Sequence, residues 1–125
     1  MLFITINTNL ATLFKKLKLK WCITMNSAKT ELYGSDLILN ELKECGIDFV
    51  AINPGSSIGG LQDSMVHSED YPKMILCLHE EIAVAVAHGY TKASGKIMAV
   101  ALHANVGLLH SSMAIFNAWC DRAPV

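Results

Sequence analysis

Short apolar runs alternate with longer amphipathic segments along most of the chain. Three runs consist almost wholly of aliphatic residues and are short enough to be buried strands. These predicted strands are IDFVAI (47–52), MILCL (74–78) and IMAVAL (97–102). The segments around them carry apolar residues at helical spacing, which predicts amphipathic helices. The predicted helices cover residues 36–45, 57–68, 80–94 and 108–119.

Polar and glycine residues mark the ends of the predicted helices. Ser35 is a suitable N-cap for the first helix, and Asp36 suits its first turn because a carboxylate stabilises a helix N-terminus. Gly46 and Gly95 follow the first and third helices, where a left-handed residue commonly ends a helix.

Continuous apolar strands that alternate with helices are typical of a parallel sheet covered on both faces. We therefore predict an α/β fold, a Rossmann-like open parallel sheet with helices on both faces. Only three strands are predicted, so we expect the sheet to be incomplete at the C-terminus. Ligands in such folds meet the loops after the strands. Those loops are NPGSS (53–57), HEE (79–81) and HANVG (103–107).

Composition narrows the possible functions. The sequence is 52% hydrophobic and 17% charged, which is typical of a globular domain. Its net charge is −1, but residues 1–24 hold four lysines and no acid, so the remainder carries −5. Because no basic stripe lies in that remainder, we expect no nucleic-acid partner. Four widely spaced cysteines form no zinc motif and predict reduced thiols in a cytoplasmic protein.

The N-terminal segment differs from the rest of the chain. Its lysines follow an apolar run, whereas a secretory signal has its positive charges first. The run is also too short and too polar to span a bilayer, so we expect no membrane association. Met25 begins a stretch that looks like a natural translation start. We interpret residues 1–30 as an extension outside the fold and residues 31–125 as a partial domain.

The stretch LHEEIAVAVAHGY (78–90) carries the strongest candidate for chemistry. It is not the zinc-protease motif, since Ala83 occupies the position of the second histidine. Glu80 would lie at a helix N-terminus, which favours the carboxylate, while apolar surroundings would raise its pKa. A carboxyl group balanced in this way can share a proton with a bound nitrogen base near neutral pH. The alternative is that Glu80 and Glu81 only cap a helix.

Four features in a fixed order resemble the N-terminal, pyrimidine-binding domain of thiamine diphosphate-dependent enzymes. The resemblance is to the group of acetolactate synthase, benzoylformate decarboxylase and pyruvate decarboxylase. The features are NPGS (53–56), HE-x8-GY (79–90) followed by TKASGK, LHANVG (102–107) and FNAWCDRAPV (116–125). The resemblance extends over residues 34–125, about 90 residues, and the combination of the four features is far more specific than any one of them.

The resemblance implies a role for Glu80, which lies ten residues before Tyr90. In the family, the glutamate at this position hydrogen-bonds the N1′ atom of the cofactor's aminopyrimidine and helps the cofactor to lose its C2 proton. The activated cofactor then attacks a 2-keto acid. The resemblance also implies cofactor contacts at Pro54, Gly55 and Gly107.

Two further positions resemble benzoylformate decarboxylase. Ser56 matches a serine that contacts the substrate carboxylate, and His103 matches a histidine that takes part in proton transfer. Ser56 could equally stabilise a turn, and His103 could only hydrogen-bond a neighbouring loop. His88 replaces the usual aspartate before Gly-Tyr, and His110 stands where an asparagine often follows the glycine-rich loop. We interpret His79 and His88 as structural.

The family binds the cofactor's diphosphate and Mg²⁺ through a GDG…NN motif in a separate C-terminal domain, and this sequence contains no such motif. The expected partners are therefore a diphosphate-binding domain of another subunit or chain and a 2-keto acid, with homo-oligomers in the full-length family.

Three hypotheses follow. The chain is a fragment of a decarboxylase or carboligase, or the pyrimidine-domain subunit of a split decarboxylase similar to sulfopyruvate decarboxylase, or a non-catalytic module that retains the fold.

Overall fold

The computed structural model describes residues 33–67 and 69–125 as an α/β unit. In chain order the elements are α1 (Gly34–Glu44), β1 (Phe49–Ile52), a 3₁₀ helix (Ser56–Ile58), α2 (Gly59–His67), β2 (Lys73–Leu76), α3 (Glu80–Ser94), β3 (Ala99–Ala101) and α4 (Ala104–Cys120). The proposed extension, residues 1–30, lies outside the described residues.

The three strands form a parallel sheet in the order β2-β1-β3. Successive side chains of a strand point to opposite faces, and the central strand shows this directly. Val50 and Ile52 pack with α1 and α2, whereas Ala51 packs with α3 and α4. Helices therefore cover both faces of the sheet, which confirms the predicted fold class.

Both glycine stops are confirmed, but the start of α1 differs from the prediction. Gly46 and Gly95 adopt the left-handed conformation, with φ of 75° and 71°. The N-cap of α1 is Tyr33 rather than Ser35, and the Tyr33 N–H donates to the Asp36 carboxylate at 2.9 Å. Ser35 instead shares a hydrogen bond with Ser64 of α2 at 2.8 Å between their hydroxyl oxygens. Its hydroxyl joins two helices rather than capping one.

The prediction of a buried second strand is wrong. β2 lies at an edge of the sheet, and Met74 and Ile75 are only half-buried. Leu76 is 61% exposed and Leu78, which follows the strand, is 93% exposed. An apolar run shows that a strand can be buried, but the order of strands decides which strand is central.

The last helix begins four residues before its predicted start, because residues 104–107 of the predicted HANVG loop form its first turn. His103 is the N-cap, and the Gly107 N–H donates to the His103 carbonyl at 2.9 Å. Ala104 has a φ of 51°, a strained conformation for a residue other than glycine. This turn lets α4 start directly behind β3.

Among the described residues, none of the helices combines the length and the hydropathy that a bilayer-spanning helix requires.

We predict that core packing of α1 contributes strongly to stability. Leu39 is fully buried, whereas Leu37 on the same helix is 43% exposed. Leu39→Ala should lower the free energy of unfolding in urea by about 2–5 kcal/mol, because it removes buried methyl groups and leaves a cavity. The matched Leu37→Ala variant should change it by less than about 1 kcal/mol. Equal effects would contradict the described packing.

Candidate functional site

Three chain segments meet at the end of the sheet formed by the carboxyl ends of the strands. The Cys77 N–H donates to the Ile52 carbonyl at 2.8 Å and extends the contact between β1 and the segment after β2. That contact brings the start of α3 beside the loop after β1. The turn at His103 adds the start of α4 from the third strand.

Glu80 is the first residue of α3 and lies among these three segments at the carboxyl end of the sheet. It is only 8% exposed. A Cβ atom added to Gly107 would lie 2.9 Å from both Cγ and Oε1 of Glu80, closer than real contacts allow. The side chain of Glu80 therefore packs directly on the backbone of α4, and a side chain at residue 107 would force Glu80 or α4 to shift.

The electrostatic surroundings of Glu80 favour its ionised form. Burial is the largest effect and raises the pKa of the carboxyl group, as the sequence predicted. Hydrogen bonds from its own backbone N–H and from the Asn53 side chain, together with electrostatic attraction to the His79 and His110 imidazoles, act in the opposite direction. The net result is a pKa below the ordinary value of 4.5. Glu80 is therefore a carboxylate at pH 7, and its expected sharing of a proton with a bound nitrogen base stays a prediction.

Two histidines are paired beside this carboxylate. Nδ1 of His79 accepts a hydrogen bond from the Glu81 N–H at 3.3 Å, so His79 caps α3. In the neutral imidazole the proton is then on Nε2, which lies 2.8 Å from Nδ1 of His110 and donates to it. The two rings meet edge to face, with centroids 4.6 Å apart. His79 thus has the structural role that we expected, and His110 joins α4 to the cap of α3.

His103 lies in a second contact at the same edge. Its Nε2 accepts a long hydrogen bond of 3.4 Å from the Ser57 N–H. The ring also covers Gly55, where an added Cβ would lie 1.7 Å from Cδ2 of His103. The neighbouring-loop hydrogen bond considered for this histidine is therefore present, while its part in proton transfer stays a prediction. Pro54 and Ser56 are exposed beside it.

The structure adds residues that the sequence did not single out. Asn53 follows β1 and bonds Glu80, and a search of polar residues directly after each strand would have found it. No local sequence pattern indicates the pairing of His79 with His110, since 31 residues separate them. His88, which we interpreted as structural, lies in the second half of α3, and its Nε2 is 3.0 Å from Oδ2 of Asp121, the C-cap of α4. Among the described residues, no group of three metal-ligating side chains is found.

Comparison with known proteins gives one consistent family. The sequence model described as "Thiamine pyrophosphate enzyme, N-terminal TPP binding domain" matches residues 32–125. The chain is 34% identical over 92 residues to the acetolactate synthase large subunit of Lactococcus lactis, covering 74% of the chain and 16% of that protein. It is 34% identical over 87 residues to the benzoylformate decarboxylase of Pseudomonas aeruginosa, covering 67% and 15%.

A solved structure from Mycobacterium smegmatis, described as that of a thiamin diphosphate-dependent enzyme, superimposes with a TM-score of 0.58 and 30% identity. The match covers 65% of the chain and 15% of that structure. The chain therefore spans about one sixth of the length of the relatives it matches, such as the Lactococcus lactis protein at 16%.

We predict that Gly107→Ala disturbs the site through Glu80. The added methyl group would force the carboxyl group or α4 to move, and the free energy of unfolding should fall by about 1–3 kcal/mol. Gly89→Ala is a matched control, since Gly89 is an exposed helical glycine with nothing within 4 Å of its added Cβ. That substitution should be neutral or stabilise by up to about 1 kcal/mol. Two equal effects would contradict the close contact at Gly107.

We also predict an acid-dependent contribution of Glu80 to stability. Because its pKa is lowered in the folded chain, the ionised carboxylate stabilises the fold above pH 4.5, and this stabilisation is lost as the pH falls through the lower folded pKa. Urea unfolding from pH 7 to pH 3 should show a shallower loss of stability for Glu80→Gln than for the unchanged chain. Glu81→Gln should follow the unchanged chain, and parallel curves for all three would contradict the prediction.

Proposed function

Because the chain belongs to the thiamine pyrophosphate enzymes, as an N-terminal TPP-binding domain, we propose that it supplies Glu80 to the aminopyrimidine of thiamine diphosphate. The enzyme that it serves would be an acetolactate synthase-like 2-keto acid decarboxylase or carboligase. The observation that carries this proposal is the buried, ionised Glu80 carboxylate, held by Asn53 and seated against Gly107.

The residues around Glu80 fit the aminopyrimidine half of thiamine diphosphate. A carboxylate accepts hydrogen bonds and so suits a protonated ring nitrogen, and its low pKa keeps it in the accepting form. Gly107 leaves the backbone of α4 free of a side chain at this position. We assign Pro54 and Gly55 as further contacts because they lie in the loop that leaves β1. When bound, the cofactor supplies the electron sink for the loss of carbon dioxide from a 2-keto acid.

We assign the contacts with the substrate to Ser56 and His103. Ser56 is exposed at the start of the 3₁₀ helix, where its hydroxyl can donate to a substrate carboxylate. Nε2 of His103 accepts from Ser57, so the neutral ring carries its proton on Nδ1. In this form the Nδ1–H of His103 can donate a hydrogen bond to a substrate oxygen without losing the contact to Ser57. Proton transfer would use the imidazolium form of His103, in which the contact of Nε2 with the Ser57 N–H is given up.

The diphosphate group and Mg²⁺ would be held by a separate domain of another subunit or chain. This assignment rests on the family to which the chain belongs. The free thiols of Cys45, Cys77 and Cys120 support a cytoplasmic location.

We predict that Glu80→Gln abolishes most of the activity of the assembled enzyme. The assay would combine the chain with the protein that carries the diphosphate-binding domain, with thiamine diphosphate, Mg²⁺ and pyruvate, and would measure carbon dioxide release. An amide cannot replace the carboxylate as a proton partner, so the rate should fall by about 10²–10⁴-fold. Glu81→Gln is the matched control and should retain the rate, because Glu81 is exposed on the same turn.

The same assay separates the possible organisations. Activity from two separately purified chains indicates a split enzyme, whereas activity only from a continuous polypeptide indicates a fragment of a longer one. An unchanged rate for a folded Glu80→Gln variant would overturn the proposed role of Glu80. No activity in either arrangement, with a panel of 2-keto acids, would indicate a non-catalytic module.

A further inference from the structure

The His79–His110 pair is built around the start of α3. His79 is half-buried and is the N-cap of this helix, whereas His110 is exposed on α4. Nδ1 of His79 lies 3.3 Å from the Glu81 backbone nitrogen, and its Nε2 lies 2.8 Å from Nδ1 of His110. Both nitrogens of the His79 ring are therefore engaged, one by a backbone donor and the other by a second imidazole.

The pair also borders the contact between Glu80 and α4. Glu80 follows His79 directly, and Gly107 lies three residues before His110, which is about one helical turn. The Glu80–Gly107 contact and the His79–His110 hydrogen bond are therefore adjacent links between the same two helices. A change in the His79 ring acts on the turn that carries the Glu80 carboxylate.

The positions of the protons on the two rings follow from these contacts. Nδ1 of His79 accepts from the Glu81 N–H, so the neutral ring carries its proton on Nε2 and donates it to His110. His110 accepts this bond at Nδ1, so its own proton is on Nε2. Neutral His79 can cap α3 only in this tautomer, and the acceptor at residue 110 favours this tautomer over the other one.

A proton added to the pair breaks the cap. The hydrogen bond between the rings survives, because an imidazolium is a stronger donor to a neutral imidazole than another neutral imidazole is. Whichever ring holds the shared proton, the added proton then occupies Nδ1 of His79, where it faces the Glu81 N–H as a second donor. The hydrogen bond to Glu81 is lost, and the first turn of α3 loses its side-chain cap.

The neighbours of the pair act on this protonation in opposite directions. The Glu80 carboxylate interacts electrostatically with both imidazoles and favours an added proton, whereas the positive end of the α3 dipole opposes it. Glu81 is the other acid of this turn, and its side chain is exposed. Helix α4 contributes no aspartate, glutamate, lysine or arginine, and its N-cap is His103. Strands β1 and β3, which pack on α3, are uncharged, and so is Asn53.

We propose that His110 is a positioning residue for Glu80 and acts through the His79 ring. At neutral pH it holds the tautomer that caps α3, and in acid it stabilises the protonated pair that releases this cap. Imidazoles commonly change charge between about pH 5 and 8. Glu80 stays ionised over that range because its pKa is below 4.5, so the pair controls the placement of the carboxylate rather than its charge. The inference rests on the proposed function, since the placement of Glu80 matters to the reaction only if Glu80 meets the cofactor.

The first test determines the tautomer of His79 in the full chain without cofactor. Nitrogen NMR shifts distinguish protonated from unprotonated ring nitrogens, and at about pH 8 they should place the His79 proton on Nε2. His110→Leu removes the acceptor and should give a mixture of both tautomers. His110→Asn should restore the Nε2 tautomer, because its amide oxygen accepts a hydrogen bond.

His67→Leu is the control for this test, since His67 is an exposed histidine on α2 and should not affect the His79 ring. Circular dichroism should show that all three variants remain folded. A His79 proton on Nδ1 in the unchanged chain, or the same tautomers in the leucine and asparagine variants, would overturn the inference.

The second test follows the pair through an acid titration of the same chain. The Glu81 N–H should lose its protection from hydrogen exchange as His79 gains its proton, after correction for the intrinsic pH dependence of exchange. His110→Leu should lower the affinity of His79 for that proton about tenfold, because the charge-assisted hydrogen bond to a second imidazole is lost. Protection of Glu81 that does not follow the charge of His79 would contradict the inference, as would a leucine variant that titrates like the unchanged chain.

The third test is the pH profile of the assembled enzyme, measured by carbon dioxide release. At about pH 8 the rate should fall about three- to tenfold for His110→Leu, be restored by His110→Asn and stay unchanged for His67→Leu. If Glu80→Gln is inactive while the leucine and asparagine variants share one rate and one pH profile, the proposed function stands and the positioning role is wrong. If Glu80→Gln is fully active, the proposed function fails, and the positioning role fails with it even where the first two tests succeed.

Discussion

The site depends on one steric constraint, the contact between the Glu80 side chain and the backbone of α4 at Gly107. This contact places a carboxylate from the start of one helix against the first turn of the next helix. It can form only because residue 107 has no side chain. Asn53 then approaches the same carboxylate from the loop after β1, so three consecutive strand–helix connections are joined through one charged group. The parallel sheet makes this possible because all three strands end at one edge.

The strands, the glycine stops and the position of Glu80 could be read from the sequence, because each depends on local pattern or on a motif count. Periodicity identified three buried-strand candidates, and φ values near 70° at Gly46 and Gly95 agree with their predicted positions. The exposure of Leu76 could not be read in this way. It depends on the order of strands in the sheet, which no property of a single apolar run encodes.

The start of α4 was predicted wrongly, and the sequence showed only part of what sets the charge of Glu80. Asn105 and Gly107 favour loops by local propensity, yet they lie in the first turn of a helix that packs on Glu80. Burial was weighed correctly as an effect that raises the pKa of Glu80. The groups that lower this pKa are the backbone N–H of Glu80 itself, then the Asn53 side chain, His79 and His110. Asn53 and His110 are distant from Glu80 in the sequence, so their contributions could not be read from the local pattern.

The packing of α3 on α4 through small residues has a mechanical consequence. Ala83 and Ala87 on one helix and Ala114 on the other share one buried cluster, so few flexible side chains separate the two backbones. Gly107 and His110, which border the carboxylate, belong to the same rigid rod as the apolar side chains on its outer surface. Any object that pressed on that outer surface would displace the rod as a unit. The outer surface of α4 and Glu80, the buried acid among the described residues, are therefore mechanically linked.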